Sequence, residues 1–286
     1  MKHLFRFLAL ISLIGMVYSE EGWLVIIGGG KRPDYLIEEI IKLAGGNQAP
    51  ILIVPAASED QLDSSLYARH QFESCGAENV RYILLKKEEV DSPKNLSIVK
   101  KCKAIFFTGG DQNRLTSFLL GTKFLEEIKR IYMQGGVISG TSAGAAVMSK
   151  IMITGEELLF KEEKKDEEGG FRVIKRNNVQ TAKGFGFLEN VIIDQHFIKR
   201  KRLNRLISVV LENPGLIGVG IDEETAIIVE KGKKFKVLGE GTVMIFDARR
   251  AKEISEDKNG NITVKNLRVH ILKSGEYFDL QKGEPI

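Results

Sequence analysis

Gly136-Val137-Ile138-Ser139-Gly140-Thr141-Ser142-Ala143-Gly144-Ala145-Ala146 decides how the rest of the chain is read. An apolar run ends in small residues and a helical pattern begins at once, so a strand feeds a sharp turn with Ser142 at its tip. Such a turn holds the Ser142 hydroxyl clear of the backbone with the Ala143 N–H pointing the same way, while Gly140 and Gly144 leave room for the bend. A βα turn with a capping serine has the same outline, because serine is a favoured N-cap. A nucleophile therefore needs more than G-x-S-x-G spacing: it needs a base, an orienting acid and a pocket.

Upstream, the same rhythm recurs. Trp23–Ile27 is a continuous apolar run that ends in Gly28-Gly29-Gly30, the pattern of a strand buried on both faces. Helical spacing follows over 33–44, then a strand at Ile51–Val54, a helix over about 61–74 and a strand over 80–85. A helix over about 92–102, a strand at Ala104–Phe107 and a longer helical region over 113–134 lead back to Val137. Strands alternating with helices predict an α/β fold, a mostly parallel sheet flanked by helices with right-handed crossovers. Sites in such sheets lie beyond the carboxyl ends of strands, so the loops at Gly28, Ser58, Gly109 and Ser142 are expected to converge on one edge. The triple glycine lacks G-x-G-x-x-G spacing and reads as a close-packed loop rather than a dinucleotide fingerprint.

The 286 residues, 43% hydrophobic and 28% charged, suffice for one large globular domain with appendages. Lys2 and Arg6 precede a short apolar run over 7–17 and then Tyr18-Ser19, which reads as a signal peptide over 1–19 cleaved after Ser19. The run is too short for a comfortable membrane span, so export to the periplasm or beyond is expected, without stable membrane insertion. Removing the leader lowers the formal charge from +4 to +2, which is no nucleic-acid signature. Cys75 and Cys102 give no disulfide framework and read as buried free thiols, although an exported protein could pair them.

Downstream, 156–180 is a charged stretch expected to be a solvated, mobile insertion. The strand-like Val191-Ile192-Ile193 ends in Asp194-Gln195-His196-Phe197, and a basic helix follows over roughly 200–212. Ile217–Ile221 is another apolar strand, ending in Asp222-Glu223-Glu224-Thr225, and the remainder reads as short strands joined by Gly-containing turns. The expected organisation is a main domain over 20–246 and a β-rich extension over 247–286, packed on it or continuous with it.

Four histidines allow elimination. His3 lies in the leader, His70 in a helix and His270 in a late β segment, which leaves His196 at the carboxyl end of a strand as the candidate base. Asp222, Glu223 and Glu224 all stand beyond another strand end as candidates to orient it, and spacing does not choose among them. The order serine, histidine, acid differs from that of α/β-hydrolases without arguing against the chemistry. Arg200, Arg202 and Arg205 fit a solvated helix face; beside a triad they also fit forks for substrate carboxylates.

Five blocks then carry a resemblance. Gly140-Thr141-Ser142-Ala143-Gly144-Ala145, Phe107-Thr108-Gly109-Gly110-Asp111-Gln112, Asp194-Gln195-His196-Phe197, Arg200-x-Arg202-x-x-Arg205-Leu206 and Gly220-Ile221-Asp222-Glu223-Glu224-Thr225-Ala226 together resemble the cyanophycinases over most of residues 23–246. The resemblance implies a serine peptidase, related to the aspartyl dipeptidases, on a flavodoxin-like fold of the class I glutamine amidotransferase type. It implies Ser142 as nucleophile, His196 as base and Glu223 as acid, with Gln112, Asp194, Gln195, Arg200, Arg202 and Arg205 lining the pocket. The Ala143 and Gly110 N–H groups would hold the oxyanion. The implied substrate is cyanophycin, a poly-aspartate bearing arginine on each β-carboxylate, cut to β-Asp-Arg dipeptides by a homodimer that needs no metal or organic cofactor.

The 156–180 stretch and residues beyond 247 fall outside what the resemblance explains. Rival readings are a secreted aspartyl or isoaspartyl dipeptidase and, in another class, a non-catalytic binding protein on the same scaffold. A glutamine amidotransferase is disfavoured, because serine stands where that chemistry uses cysteine.

Overall fold

Apolar runs too short for helices line up side by side, each buried by its neighbours. The computed structural model describes residues 22–159 and 170–286, so the leader expected over 1–19 and the centre of the charged stretch lie outside the described residues. The first half alternates as β1 (Trp23–Ile27), α1 (Asp34–Leu43), β2 (Ile51–Val54), α2 (Gln61–Ser74), β3 (Val80–Tyr82), α3 (Pro93–Val99) and β4 (Ala104–Phe107). It continues through α4 (Gln112–Leu119), α5 (Lys123–Met133), β5 (Val137–Thr141) and the short α6 (Ala143–Ala146). Strands β1, β5, β4, β2 and β3 are adjacent in that order and parallel.

Local chemistry sets the boundaries. Asp60 caps α2, Ser92 caps α3 ahead of Pro93, and Asp111 caps α4, each side chain accepting a backbone N–H of the first turn. The helical region expected over 113–134 is two helices. Leu120 turns extended (φ −62°, ψ 130°), Gly121 has φ 79°, and the Thr122 hydroxyl restarts the helix by accepting the Leu125 N–H.

The sheet continues past β1 with antiparallel strands β10 (Thr225–Glu230), β11 (Lys234–Gly239), β16 (Tyr277–Asp279) and β17 (Glu284–Pro285), making nine in all. Along β1 the side chains alternate between two cores. Val25 and Ile27 pack with Leu36, Ile37, Ile40 and Phe72 of α1 and α2, whereas Leu24 and Ile26 face α3 to α6 and a second sheet. Burying each such side chain contributes about 1.5–3 kcal/mol. Both cysteines are free thiols; Cys102 is buried in one core as expected, whereas Cys75 is only partly buried and packs against the other.

The strand ending near His196 is not part of the nine-stranded sheet, in which β10 pairs with β1 on the side away from β5. Instead β8 (Val191–Gln195) pairs in parallel with β9 (Ile217–Ile221), and β12 (Val243–Asp247) and β15 (Arg268–Leu272) complete a separate four-stranded sheet. One of its faces joins the core under the nine-stranded sheet. The other packs on α7 (Leu203–Glu212) through Ile192, Leu206, Val209 and Phe246. Residues 222–224 carry the chain from β9 in the second sheet to β10 in the first. The flanks of the charged stretch, β6 (Ile151–Glu157) and β7 (Val179–Lys183), form an antiparallel pair, and β13 (Lys252–Glu256) and β14 (Ile262–Lys265) form another.

Candidate active site

β5 is buried along its whole length and delivers Ser142, where the backbone turns through φ 53°, ψ −111° before α6 begins. A non-glycine residue in such a region costs about 1–3 kcal/mol and persists only where its surroundings hold it. Close packing supplies the hold. A Cβ on Gly144 would meet the Phe107 carbonyl, and one on Gly140 would meet the Gly144 backbone, so G-x-S-x-G is a packing requirement here as well as a bend.

His196 arrives from the second sheet at the end of β8. The adjacent Phe197 anchors it, lying against Gly220 where a Cβ would strike the ring. Glu223 comes from the turn between the two sheets. His196 Nδ1 lies 2.6 Å from Glu223 Oε1, and His196 Nε2 lies 2.9 Å from Ser142 Oγ. An ionised carboxylate is an acceptor, so the ring proton belongs on Nδ1, and Nε2 is left to accept from the Ser142 hydroxyl. Of the three acids left open by spacing, Glu223 is the one that meets the imidazole. Asp222 Oδ1 instead accepts the Lys199 N–H at 3.1 Å, and Glu224 is a left-handed residue of the turn, φ 56°.

Electrostatics favour a neutral base. Burial pushes the His196 imidazole below its ordinary value; the Glu223 hydrogen bond opposes this, while the Arg200 and Arg202 charges add to it. His196 is 6% exposed and the Glu223 side chain 27%, so the relay reaches solvent at its acid end. The Ala143 and Gly110 N–H groups, expected to hold an oxyanion, meet no protein acceptor among the described residues. Gly109 stands beside the serine, and a Cβ there would fall 3.4 Å from Ser142 Cβ.

The six residues expected to line the pocket divide. Asp194 and Arg205 are closed on each other: Arg205 Nε donates to Oδ2 at 2.7 Å, Nη2 donates to Oδ1, and the two side chains are 1% and 3% exposed. Their charges are satisfied within the chain, and the pair fastens α7 to the end of β8. The Gln112 amide likewise donates to the Ile153 and Thr154 carbonyls of β6, at 3.1 and 2.8 Å. Arg202 Nη1 donates to the backbone and side-chain oxygens of Gln195, at 2.6 and 2.5 Å. Arg202 Nε has no acceptor among the described residues, and burial beside Arg205 holds its guanidinium below its ordinary value. Arg200 precedes α7 and is exposed.

A loop that the sequence reads only as close-packed also reaches the site. A Cβ on Gly29 would fall on the His196 ring, and one on Gly30 would lie 2.8 Å from Glu223 Cβ. The run of three glycines is the visible signal, but it does not name what packs there. Among the described residues no group of His, Cys, Asp and Glu could hold a metal ion, and no helix is long and apolar enough to cross a membrane.

The serine, imidazole and carboxylate are aligned as a serine-type hydrolytic site would need them, on a mixed α/β sheet. Residues 24–237 match Peptidase family S51, and the chain belongs to that family of serine-type peptidases. It is 37% identical over 267 residues to the cyanophycinase of Trichormus variabilis, covering 90% of this chain and 85% of that one. With the cyanophycinase of Synechococcus elongatus it shares 32% identity over 271 residues, 92% of this chain and 80% of the other. Among solved structures, a peptidase from an acI-B1 Actinobacterium matches with a TM-score of 0.66 at 24% identity, over 92% of this chain and 98% of that one. A putative peptidase E protein from Listeria monocytogenes EGD-e matches at 0.51 and 15% identity, over 77% and 100%. These two likenesses are of fold.

Proposed function

We propose that the chain is an exported serine exopeptidase that hydrolyses cyanophycin to β-Asp-Arg dipeptides. The observation that carries this reading is the contact of Ser142 with His196 and of His196 with Glu223, in a chain 37% and 32% identical to two cyanophycinases. His196 Nε2 takes the Ser142 proton as Oγ attacks a backbone carbonyl of the substrate. Glu223 holds the Nδ1–H and stabilises the imidazolium by charge. The carbonyl electrons move onto an oxyanion, for which the Ala143 and Gly110 N–H groups are the donors at hand, each lowering the barrier by about 3–4 kcal/mol. Collapse breaks the C–N bond, and the amine leaves with the proton from His196. Water, deprotonated by the same imidazole, then hydrolyses the ester on Ser142.

Arg205 is paired to Asp194 and Arg202 Nη1 lies 3.8 Å from the same carboxylate, so the cationic groups we assign to a substrate carboxylate are the exposed Arg200 and the Arg202 Nε, which has no acceptor among the described residues. Export rests on Lys2, Arg6 and the apolar run over 7–17. Assembly as a homodimer rests on the resemblance alone. Incubating the purified protein with cyanophycin and, separately, with Asp-X and isoAsp-X dipeptides tests the substrate. Release of β-Asp-Arg from the polymer, identified by mass, is the expected result; an inert polymer beside rapid dipeptide cleavage would sink this reading in favour of a dipeptidase.

A further inference from the structure

Three backbone N–H groups at the site end on three successive carbonyls. The Ser142 N–H donates to Ile27 O at 3.1 Å, the His196 N–H to Gly28 O at 2.7 Å, and the Glu224 N–H to Gly29 O at 2.9 Å. Gly28 adds a fourth bond, its own N–H donating to Thr225 O at 2.8 Å. Ser142, His196 and Glu224 are also left-handed non-glycine residues, with φ of 53°, 49° and 56°. The bonds therefore fall on the peptide units that would relax to another conformation if nothing held them. They come from separate parts of the fold: the turn after β5, the end of β8 in the second sheet, and the crossing from β9 to β10. The loop that follows β1 is bonded to all three.

Space along this loop is matched to the same residues. A Cβ on Gly28 would strike the Asp222 carbonyl, and one on Gly29 would strike His196 at Cε1 and Nε2, the latter being the atom that meets Ser142 Oγ. On Gly30 a Cβ would stand 2.8 Å from Glu223 Cβ and 3.1 Å from its Oε2. Close packing by itself asks for small residues; it does not ask for a separate main-chain bond to each turn of the site.

We propose that the 27–30 loop is the positioning element of the site: its carbonyls set the spacing of the turns carrying Ser142, His196 and Glu223, and Gly29 keeps the space in which the imidazole stands between serine and carboxylate. The proposal deepens the function above and rests on it for the roles of the three side chains. Gly29 has no side chain to take part in the chemistry and acts through the placement of His196, as a positioning residue.

Gly29→Ala tests this, with Gly45→Ala as the control. Gly45 has a similar backbone, φ 109° against 114°, but a Cβ there meets nothing within 4 Å. Both variants carry the strain of alanine at positive φ, so Gly45→Ala reports that strain, and any further fall in melting temperature in Gly29→Ala reports the contact with His196. Gly29→Ala is expected to lower kcat by about 100-fold with KM little changed, and to slow labelling of Ser142 by a fluorophosphonate in proportion. Gly45→Ala is expected to keep wild-type kcat and labelling.

If Gly29→Ala does not fold, Gly30→Ala takes its place. Crowding Glu223 weakens its hold on the imidazolium while Arg200 and Arg202 still oppose the charge, so the acid limb of the rate profile moves to lower pH. Undiminished kcat and labelling in Gly29→Ala, or a folded Gly30→Ala with an unmoved acid limb, overturns the proposal and leaves the functional reading standing. Labelling needs no peptide substrate, so it reads positioning even if cyanophycin is inert. A wild-type Ser142 that resists the reagent removes the functional reading and the proposal together.

Discussion

Asp194 and His196 stand two residues apart at the end of β8, each against an ionisable partner, and the two pairs are built for opposite ends. Asp194 and Arg205 are buried and joined at both carboxylate oxygens, and Arg202 Nη1 lies 3.8 Å from the same Asp194 Oδ1, so the carboxylate is spent on the chain's own arginines. His196 and Glu223 are joined at one point, and the free side of the imidazole meets a hydroxyl. A pair closed on itself fixes a helix to a strand, whereas a pair whose imidazole turns its basic Nε2 toward a hydroxyl can move a proton. Charge and proximity are common to both; the basic nitrogen facing a proton donor separates them.

Substitutions at the four positions set this contrast against measurement. The largest effect is expected at the open pair: His196→Ala removes the proposed base and should lower kcat by about 10⁶-fold in steady-state kinetics, with the melting temperature little changed. Glu223→Gln keeps the shape but no longer holds the ring in its productive tautomer, and kcat should fall by about 10⁴-fold. At the closed pair the loss moves from rate to stability. Asp194→Ala strands the Arg205 charge in the interior and should cost about 3–5 kcal/mol in denaturant unfolding at neutral pH, with activity lost only in step with the folded fraction. A variant that stays stable but loses kcat would place Asp194 in the chemistry and dissolve the contrast.

The smallest effect is electrostatic. The folded imidazole binds its proton below the ordinary histidine value of about 6.5, so the acid limb of kcat/KM should lie below that pH. Arg200→Gln removes one of the charges that oppose the imidazolium and should move the limb upward, toward that value. The same depression carries a stability signature. The unfolded chain takes up the proton first, so the contribution of His196 is fully present above about pH 6.5 and is lost as the pH falls through the lowered folded value. An acid limb that does not respond to Arg200→Gln would remove the Arg200 charge from the groups that set the base, leaving burial, Glu223 and Arg202.

The parallel half of the sheet is legible in the sequence because its strands are buried on both faces and read as unbroken apolar runs between helical patterns. The break at Leu120-Gly121-Thr122 is harder to read, since helical spacing resumes on its far side. Nor do the residues of a strand say which sheet it joins. Val191–Gln195 reads only as a strand and lies in the second sheet, because pairing partners are settled by the whole chain. At the site, Ser142 and His196 are visible as polar residues ending apolar runs. Choosing Glu223 over Asp222 and Glu224 depends on the path of a left-handed turn, which side-chain alternation does not encode. Arg205 shows the deepest ambiguity, for a guanidinium meant for a substrate and one meant for its own Asp194 look the same in sequence.

The most direct trial is digestion of cyanophycin by the wild-type protein and by Ser142→Ala, matched for folded concentration and followed by the mass of the released products. The wild-type protein should release β-Asp-Arg dipeptides and the variant should lose nearly all of that rate, about 10⁶-fold if serine and histidine act as a unit. A Ser142→Ala protein that releases the same products at the wild-type rate would contradict the account, because the hydroxyl held 2.9 Å from His196 would then take no part in the reaction.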